Sequence, residues 1–233
     1  LQTGCLAGFE ALVRMRGPDG RLVPPDEFIP LTEETGLIVS IGLQVLTEAC
    51  RQMRLWQQHY PDHPPMQISV NLAGRQFTQP DLLQQIEATL VETSLATSSL
   101  KLEVTETVLM AHAEAAAAVL EQLHARGIKL LMDDFGTGYS SLSYLYRFPI
   151  DTLKIDASFV RRMDVDRKSA DIIQSIVTLA HALHMDIIAE GVENAAQLAQ
   201  LRVLQVEYGQ GYHFGQPLDA AAAEAMIVAR PLW

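Results

Sequence analysis

Six short apolar runs in the chain each end in an acidic or amide group: Glu10, Asn71, Glu103 with Glu106, Asp133-Asp134, Asp156, and Glu190 with Glu193. A carboxylate in a buried strand is costly unless it is paired or bound to a cation, so the recurrence asks for one common cause, and a shared metal site is the simplest. Glu10, Asn71, Glu103, Asp133, Asp134 and Glu190 offer oxygen donors only, with no His or Cys at ligand spacing among them. Such a set suits Mg²⁺ or Mn²⁺ rather than Zn²⁺. Helix capping or salt bridging would explain any one of these acids taken alone. The adjacent Asp133 and Asp134 are the pair expected to serve two metals, one carboxylate bridging. Two cations roughly 3.5–4 Å apart can activate water for in-line attack at phosphorus.

One lysine stands among these acids. Lys154 lies two residues before Asp156 in a run that should point the same way, placed to hydrogen-bond an attacking water or a phosphate oxygen. It also balances charge: two divalent cations and Lys154 neutralise the carboxylates of Glu10, Glu103, Asp133, Asp134 and Glu190. The plainer alternative is a surface lysine paired with Asp156.

Strand-like periodicity appears near Phe9–Val13, Gln67–Leu72, Leu100–Thr105, Ile128–Met132, Thr152–Ile155, Asp186–Ala189 and, more weakly, Leu204–Tyr208, with helical patterns between. From Ala170 to Leu183 the apolar stripe is read as Ile172, Ile176, Leu179, Ala180 and Leu183, and the Ala115–Ala118 run favours helix until Gly127 stops it. Pro25 before Asp26-Glu27 marks a helix start. Alternating strands and helices imply right-handed βαβ units on a parallel sheet. A barrel gathers the C-terminal ends of all its strands on one rim, whereas an open sheet gathers only those at its switch point. Six acid-ended strands therefore favour a TIM-like (β/α)8 barrel. Seven strands are counted where eight are expected, and Leu1-Gln2-Thr3-Gly4 reads as a turn, so the first strand is expected upstream of Leu1 and residues 1–233 as one N-terminally incomplete domain.

A chain of 233 residues, 48% hydrophobic, can bury one large core. A net charge of -11 argues against binding polymeric nucleic acid, and clustered cations such as Arg161-Arg162 are interrupted by acids. Cys5 and Cys50 match no metal spacing and are expected as structural thiols in a reducing, cytoplasmic setting. No apolar run approaches the roughly 20 residues of a membrane span, so no direct membrane contact is expected of this domain, although a parent protein could be anchored.

Several motifs are set against plainer readings. Phe135-Gly136-Thr137-Gly138-Tyr139-Ser140-Ser141 is a Gly-rich turn before a helix, either a lid over the site or an ordinary βα turn. Asp134-Phe135-Gly136 imitates a kinase triplet, but no companion catalytic loop accompanies it. His181 and His184 are read as ordinary residues of an outer helix, and His213 is given no role.

The ordered series Glu10-Ala11-Leu12 with Arg14, Pro25-Asp26-Glu27-Phe28-Ile29-Pro30, Ser69-Val70-Asn71-Leu72, Glu103-Val104-Thr105-Glu106, Asp133 to Gly138, Leu153-Lys154-Ile155-Asp156, Ala189 to Glu193 and Gln210-Gly211-Tyr212 resembles the EAL-domain cyclic di-GMP phosphodiesterases, almost end to end. The resemblance implies hydrolysis of cyclic di-GMP to linear pGpG, with two Mg²⁺ or Mn²⁺ ions per site. It makes Glu10, Asn71, Glu103, Asp133, Asp134 and Glu190 metal ligands, with Asp133 bridging. Lys154 would then position the attacking water, assisted by Gln210, and Glu106 would anchor the Gly-rich loop. Arg14, Asp156 and Glu193 would meet the dinucleotide or support the site. It further implies a homodimer, with the paired-aspartate loop and a neighbouring helix in the contact. Met15, Ala73 and Val206-Glu207 depart from the common pattern and miss the catalytic positions. The rival is a catalytically silent cyclic di-GMP receptor, disfavoured because every expected ligand is present; a metal barrel enzyme acting on enolates lacks an identifiable base.

Overall fold

The computed structural model describes residues 1–111, 113–136 and 142–233, without the side chains of 142–144. The chain divides into two compact units, Gly8–Val104 with Val108–Lys129, and Leu1–Ala7 with Thr105–Thr107 and Leu130–Trp233. Within each unit the strands are parallel and their order follows the sequence.

The first unit opens with β1 (Gly8–Ala11), then a small hairpin, β2 (Met15–Arg16) and β3 (Leu22–Val23). Helix α1 (Pro25–Thr35) starts at Pro25 with Asp26 and Glu27 in its first turn, as expected, and ends at Gly36, whose N–H bonds back to the Glu33 carbonyl. There the chain bends by 118° into α2 (Leu37–His59). Leu46, Ala49, Cys50, Met53 and Trp56 recur at helical spacing on α2 and are all buried, and α2 packs on β4 (Gln67–Asn71) and α3 (Leu82–Thr93). Strand β5 (Leu100–Thr105) follows, its Leu100, Leu102 and Val104 fully buried, each contributing about 1.5–3 kcal/mol. Helices α4 (Glu106–Ala111) and α5 (Ala113–Ala125) come next, and the latter stops before Gly127 as its sequence predicts. Strand order is β1-β4-β5, all parallel, with Glu10 opposite Ser69 and Asn71 opposite Glu103. With a period of two, that register puts Glu10, Asn71 and Glu103 on one face.

The second unit carries β6 (Lys129–Phe135), α6 (Leu142–Arg147), β7 (Thr152–Ile155), the one-turn helix α7 (Ala157–Val160), α8 (Arg167–Ala182), β8 (Asp186–Ala189), α9 (Ala195–Val203), β9 (Tyr208–Gly209) and α10 (Ala220–Ala229). Its strands run β6-β7-β8-β9, again parallel.

Three expectations need correction. The last strand is only Tyr208–Gly209, because Leu204 caps α9 and Gln205 takes a positive φ of 62°, which breaks extension. Strand β6 runs three residues past Met132 and so takes both aspartates into the strand. On α8 the buried face is Ser169, Ile173, Ile176, Val177 and Ala180, while Ile172 is exposed, one position away from the expected stripe. Cys50 is fully buried, and burial pushes its thiol up to about 12; Cys5 is exposed, so only Cys50 fits the structural reading. Among the described residues no single helix is long and apolar enough to cross a membrane.

Candidate metal centre

In the first unit the Asn71 side-chain amide donates to Glu10 Oε1 at 2.8 Å. That bond leaves the amide oxygen of Asn71 turned away from Glu10 and usable as a neutral ligand. Glu103, across the ladder from Asn71, is buried. Arg14 lies just beyond β1, exposed, with its guanidinium donating to the Val13 carbonyl at 2.9 Å.

In the second unit Asp133, Asp134 and Glu190 each bring a carboxylate oxygen to within 4.8 Å of the others. Neighbours in a strand normally point to opposite faces, so two adjacent aspartates meeting at one point needs a break in the pleat. The β6–β7 register shifts between Met132 and Phe135, and Asp134 sits there in the left-handed region at φ 56°. Asp is among the few non-Gly residues that tolerate this conformation, and the bulge turns its carboxylate beside that of Asp133. The Asp134 N–H then donates to Asp133 Oδ1 at 2.9 Å. Such geometry is stored where the surroundings over-determine it, as at ligand sites.

Lys154 reaches the same cluster from β7. Its ammonium lies 2.6 Å from Glu190 Oε1 and 3.4 Å from Asp133 Oδ1, and the side chain is 1% exposed. The surface-lysine alternative is thereby excluded: Asp156 instead caps α7, accepting from the Ser158 N–H at 3.0 Å. The short contact of Lys154 to Glu190 is of the strong, charge-assisted kind, and that to Asp133 is a looser ion pair. Hard carboxylate oxygens gathered at this separation, with a cation already drawn in among them, fit a divalent oxygen-seeking ion.

Glu106, at the start of α4, is buried and accepts from the Gly136 N–H at 3.2 Å, tying down the second residue after the paired aspartates. The rest of the Gly-rich stretch, 137–141, lies outside the described residues. Gln210 sits just past β9, its N–H donating to the Ala189 carbonyl at 2.9 Å and its carbonyl accepting from Val192 N–H at 3.0 Å. The Glu193 carboxylate pairs with Arg161 Nε at 2.9 Å, both half exposed. Arg161 had no sequence signal beyond its place in an Arg-Arg pair. His181 is paired with Glu207 at 3.0 Å on the outer helix, and His213 packs edge-on against Phe214.

A family model described as the EAL domain matches residues 1–217. MucR of Pseudomonas aeruginosa, named a bifunctional diguanylate cyclase/cyclic di-GMP phosphodiesterase, is 46% identical over 224 residues, which are 96% of this chain and 32% of MucR. A solved structure of the PaMucR phosphodiesterase in complex with c-di-GMP matches with a TM-score of 0.86 at 45% identity, covering 92% of this chain and 86% of that one. A manganese and cyclic di-GMP complex of BlrP1 from Klebsiella pneumoniae matches with a TM-score of 0.77 at 29% identity, over 91% of this chain and 51% of that one. The chain spans 28% to 32% of the length of three of the curated relatives it matches. The mixed α/β fold with its parallel sheet is that of the TIM-barrel-like EAL structures, in line with the barrel expectation. With the signature Glu10-Ala11-Leu12 at the end of β1 and the family model matched from residue 1 to 217, this chain belongs to the EAL-domain family.

Proposed function

We propose that this domain hydrolyses cyclic di-GMP to linear pGpG, using two divalent cations, Mg²⁺ or Mn²⁺, held by Glu10, Asn71, Glu103, Asp133, Asp134 and Glu190. The observation that carries this reading is Lys154, buried within reach of two of the three clustered carboxylates. Acids that merely capped strands or helices would need no buried lysine among them. When bound, the cations supply Lewis acidity at the phosphoryl group and lower the pKa of water.

The chain's own residues do the rest. Lys154 holds the attacking water by hydrogen bonding and offsets negative charge that builds on phosphorus, with Gln210 assisting. The water oxygen bonds to phosphorus in line as the bond to the ribose 3′ oxygen breaks; that oxygen leaves as a hydroxyl, and the other water proton goes to solvent. Glu106 orders the segment after the aspartates through Gly136. Arg14 meets a phosphate of the dinucleotide, and Asp156 and Glu193 support the substrate side of the site. The substrate follows from the names of the related MucR enzyme and its complex.

The test is to incubate the purified domain with cyclic di-GMP and Mg²⁺ or Mn²⁺, with a chelator control, and to separate the products. Linear pGpG formed only with metal is the expected result. Tight binding of intact cyclic di-GMP without product would overturn the enzyme in favour of a receptor.

A further inference from the structure

The strand ladder alone does not fix the clustered carboxylates. Asp134 lies inside the register shift of β6, and Glu190 is the first residue past β8. Hydrogen bonds from the Gly136 N–H to Glu106 and from the Val192 N–H to the Gln210 carbonyl hold the backbone that follows each of them from one side, and α7 packs against both places.

Helix α7 begins directly after Lys154-Ile155, capped by Asp156, and Val160 anchors it in the core with no exposed surface. Its Ala157 fills the space left by Gly191, the residue after Glu190: a Cβ on Gly191 would lie 2.6 Å from Ala157 Cβ. Its Phe159 leans on Gly136, the second residue after Asp134: a Cβ there would lie 3.1 Å from Phe159 Cε2 and 3.7 Å from Ile176 Cδ1 of α8. Both glycines have positive φ, 69° and 96°, so each backbone can turn sharply and be approached this closely. Arg161, the C-terminal cap of α7, adds the ion pair to Glu193 in the segment after Gly191.

We infer that α7 is a wedge that sets the spacing of the metal ligands, with Ala157 positioning Glu190 and Phe159 positioning the Asp133-Asp134 pair. Interiors packed at crystal-like density transmit displacements of a fraction of an ångström, and supporting residues of this kind commonly govern metal affinity. Neither residue carries a donor atom for a metal; both act through the glycine backbone. The inference rests on the metal reading proposed above.

The experiment measures Mn²⁺ uptake without substrate, from the electron paramagnetic resonance signal of free Mn²⁺, on wild type, Ala157→Val, Phe159→Ala and Phe159→Leu. Circular dichroism at the assay temperature confirms that each is folded. Ala157→Val and Phe159→Ala should weaken Mn²⁺ binding by about tenfold or more. Phe159→Leu, which keeps most of the contact, should stay within about threefold of wild type. If Phe159→Ala does not fold, Ala157→Val, which adds only two methyl groups, carries the test. Wild-type uptake with unchanged affinity in folded variants overturns the wedge alone. A wild type that takes up no Mn²⁺ overturns the metal reading and the wedge with it.

Discussion

Replacing Lys154 by methionine keeps an unbranched side chain of similar length and deletes its charge. In the absence of metal, Asp133 and Glu190, 13% and 20% exposed at their side chains, would lose the ammonium that lies 3.4 and 2.6 Å away. Breaking a buried pair in this way costs about 3–5 kcal/mol, and the residual exposure of the acids argues for the lower end, about 3 kcal/mol. For a domain of this size each kcal/mol shifts Tm by about 2–4 °C, so metal-free Lys154→Met should melt about 6–12 °C below wild type. Cations reverse the sign of the comparison. A saturating divalent ion in wild type must sit near an ammonium, whereas in the variant it meets only carboxylates, so the rise in Tm on adding Mn²⁺ should be larger in the variant than in wild type. Meanwhile kcat for cyclic di-GMP should fall by about 10²–10³-fold, with little change in KM. Differential scanning fluorimetry with and without MnCl₂, beside steady-state kinetics, reads all three quantities. A variant that melts with wild type when metal-free, and gains no more from Mn²⁺, would refute the assignment of Lys154 as the counter-charge of the cluster.

Other outcomes follow from the same geometry. Glu10→Ala should abolish hydrolysis even in metal-replete buffer while changing stability by about 1 kcal/mol, the scale of the hydrogen bond it accepts from Asn71; unchanged turnover would sink its role as a ligand. Cys50 has its thiol pushed up to about 12 from a reference near 9.0, so its contribution is fully present below about pH 9 and is lost as pH rises towards 12. Urea unfolding across that range should show the decline, and Cys50→Ala should flatten it. A thiol reagent should titrate one cysteine, Cys5, in the native protein and both after unfolding. Sedimentation velocity should give a dimer at micromolar concentration; a monomer with full activity would remove assembly from the account.

Much of the second unit's chemistry could be read from residue order. Lys154 was visible because a lysine inside Leu-Lys-Ile cannot be buried without a partner, and the adjacent aspartates announced a site that could serve two ions. What could not be read was the geometry that lets them meet. The bulge has no glycine to mark it, since Asp134 itself takes the positive φ. Helix α7 has four residues, too few for a 3.6-residue period to show, so nothing singled out Phe159, and Arg161 read only as one of a pair of cations. On α8, Ile172 and Ile173 are both apolar, and periodicity alone could not choose which faced inward. The last strand was overextended because Leu204, which completes α9, prolongs the apolar run into Val206.

The left-handed turn at Asp134 separates loss of function from loss of fold. Asn tolerates that backbone conformation as well as Asp does, so exchanging one for the other would remove the charge that the proposed metal centre needs and leave the bulge, the ladder and the melting temperature nearly where they were. A gene drifting through that single exchange would still yield a well-folded, abundant protein, and no screen for expression or thermal stability would register the change. On the metal reading proposed above, this domain would therefore turn silent through one exchange at position 134 while keeping its fold.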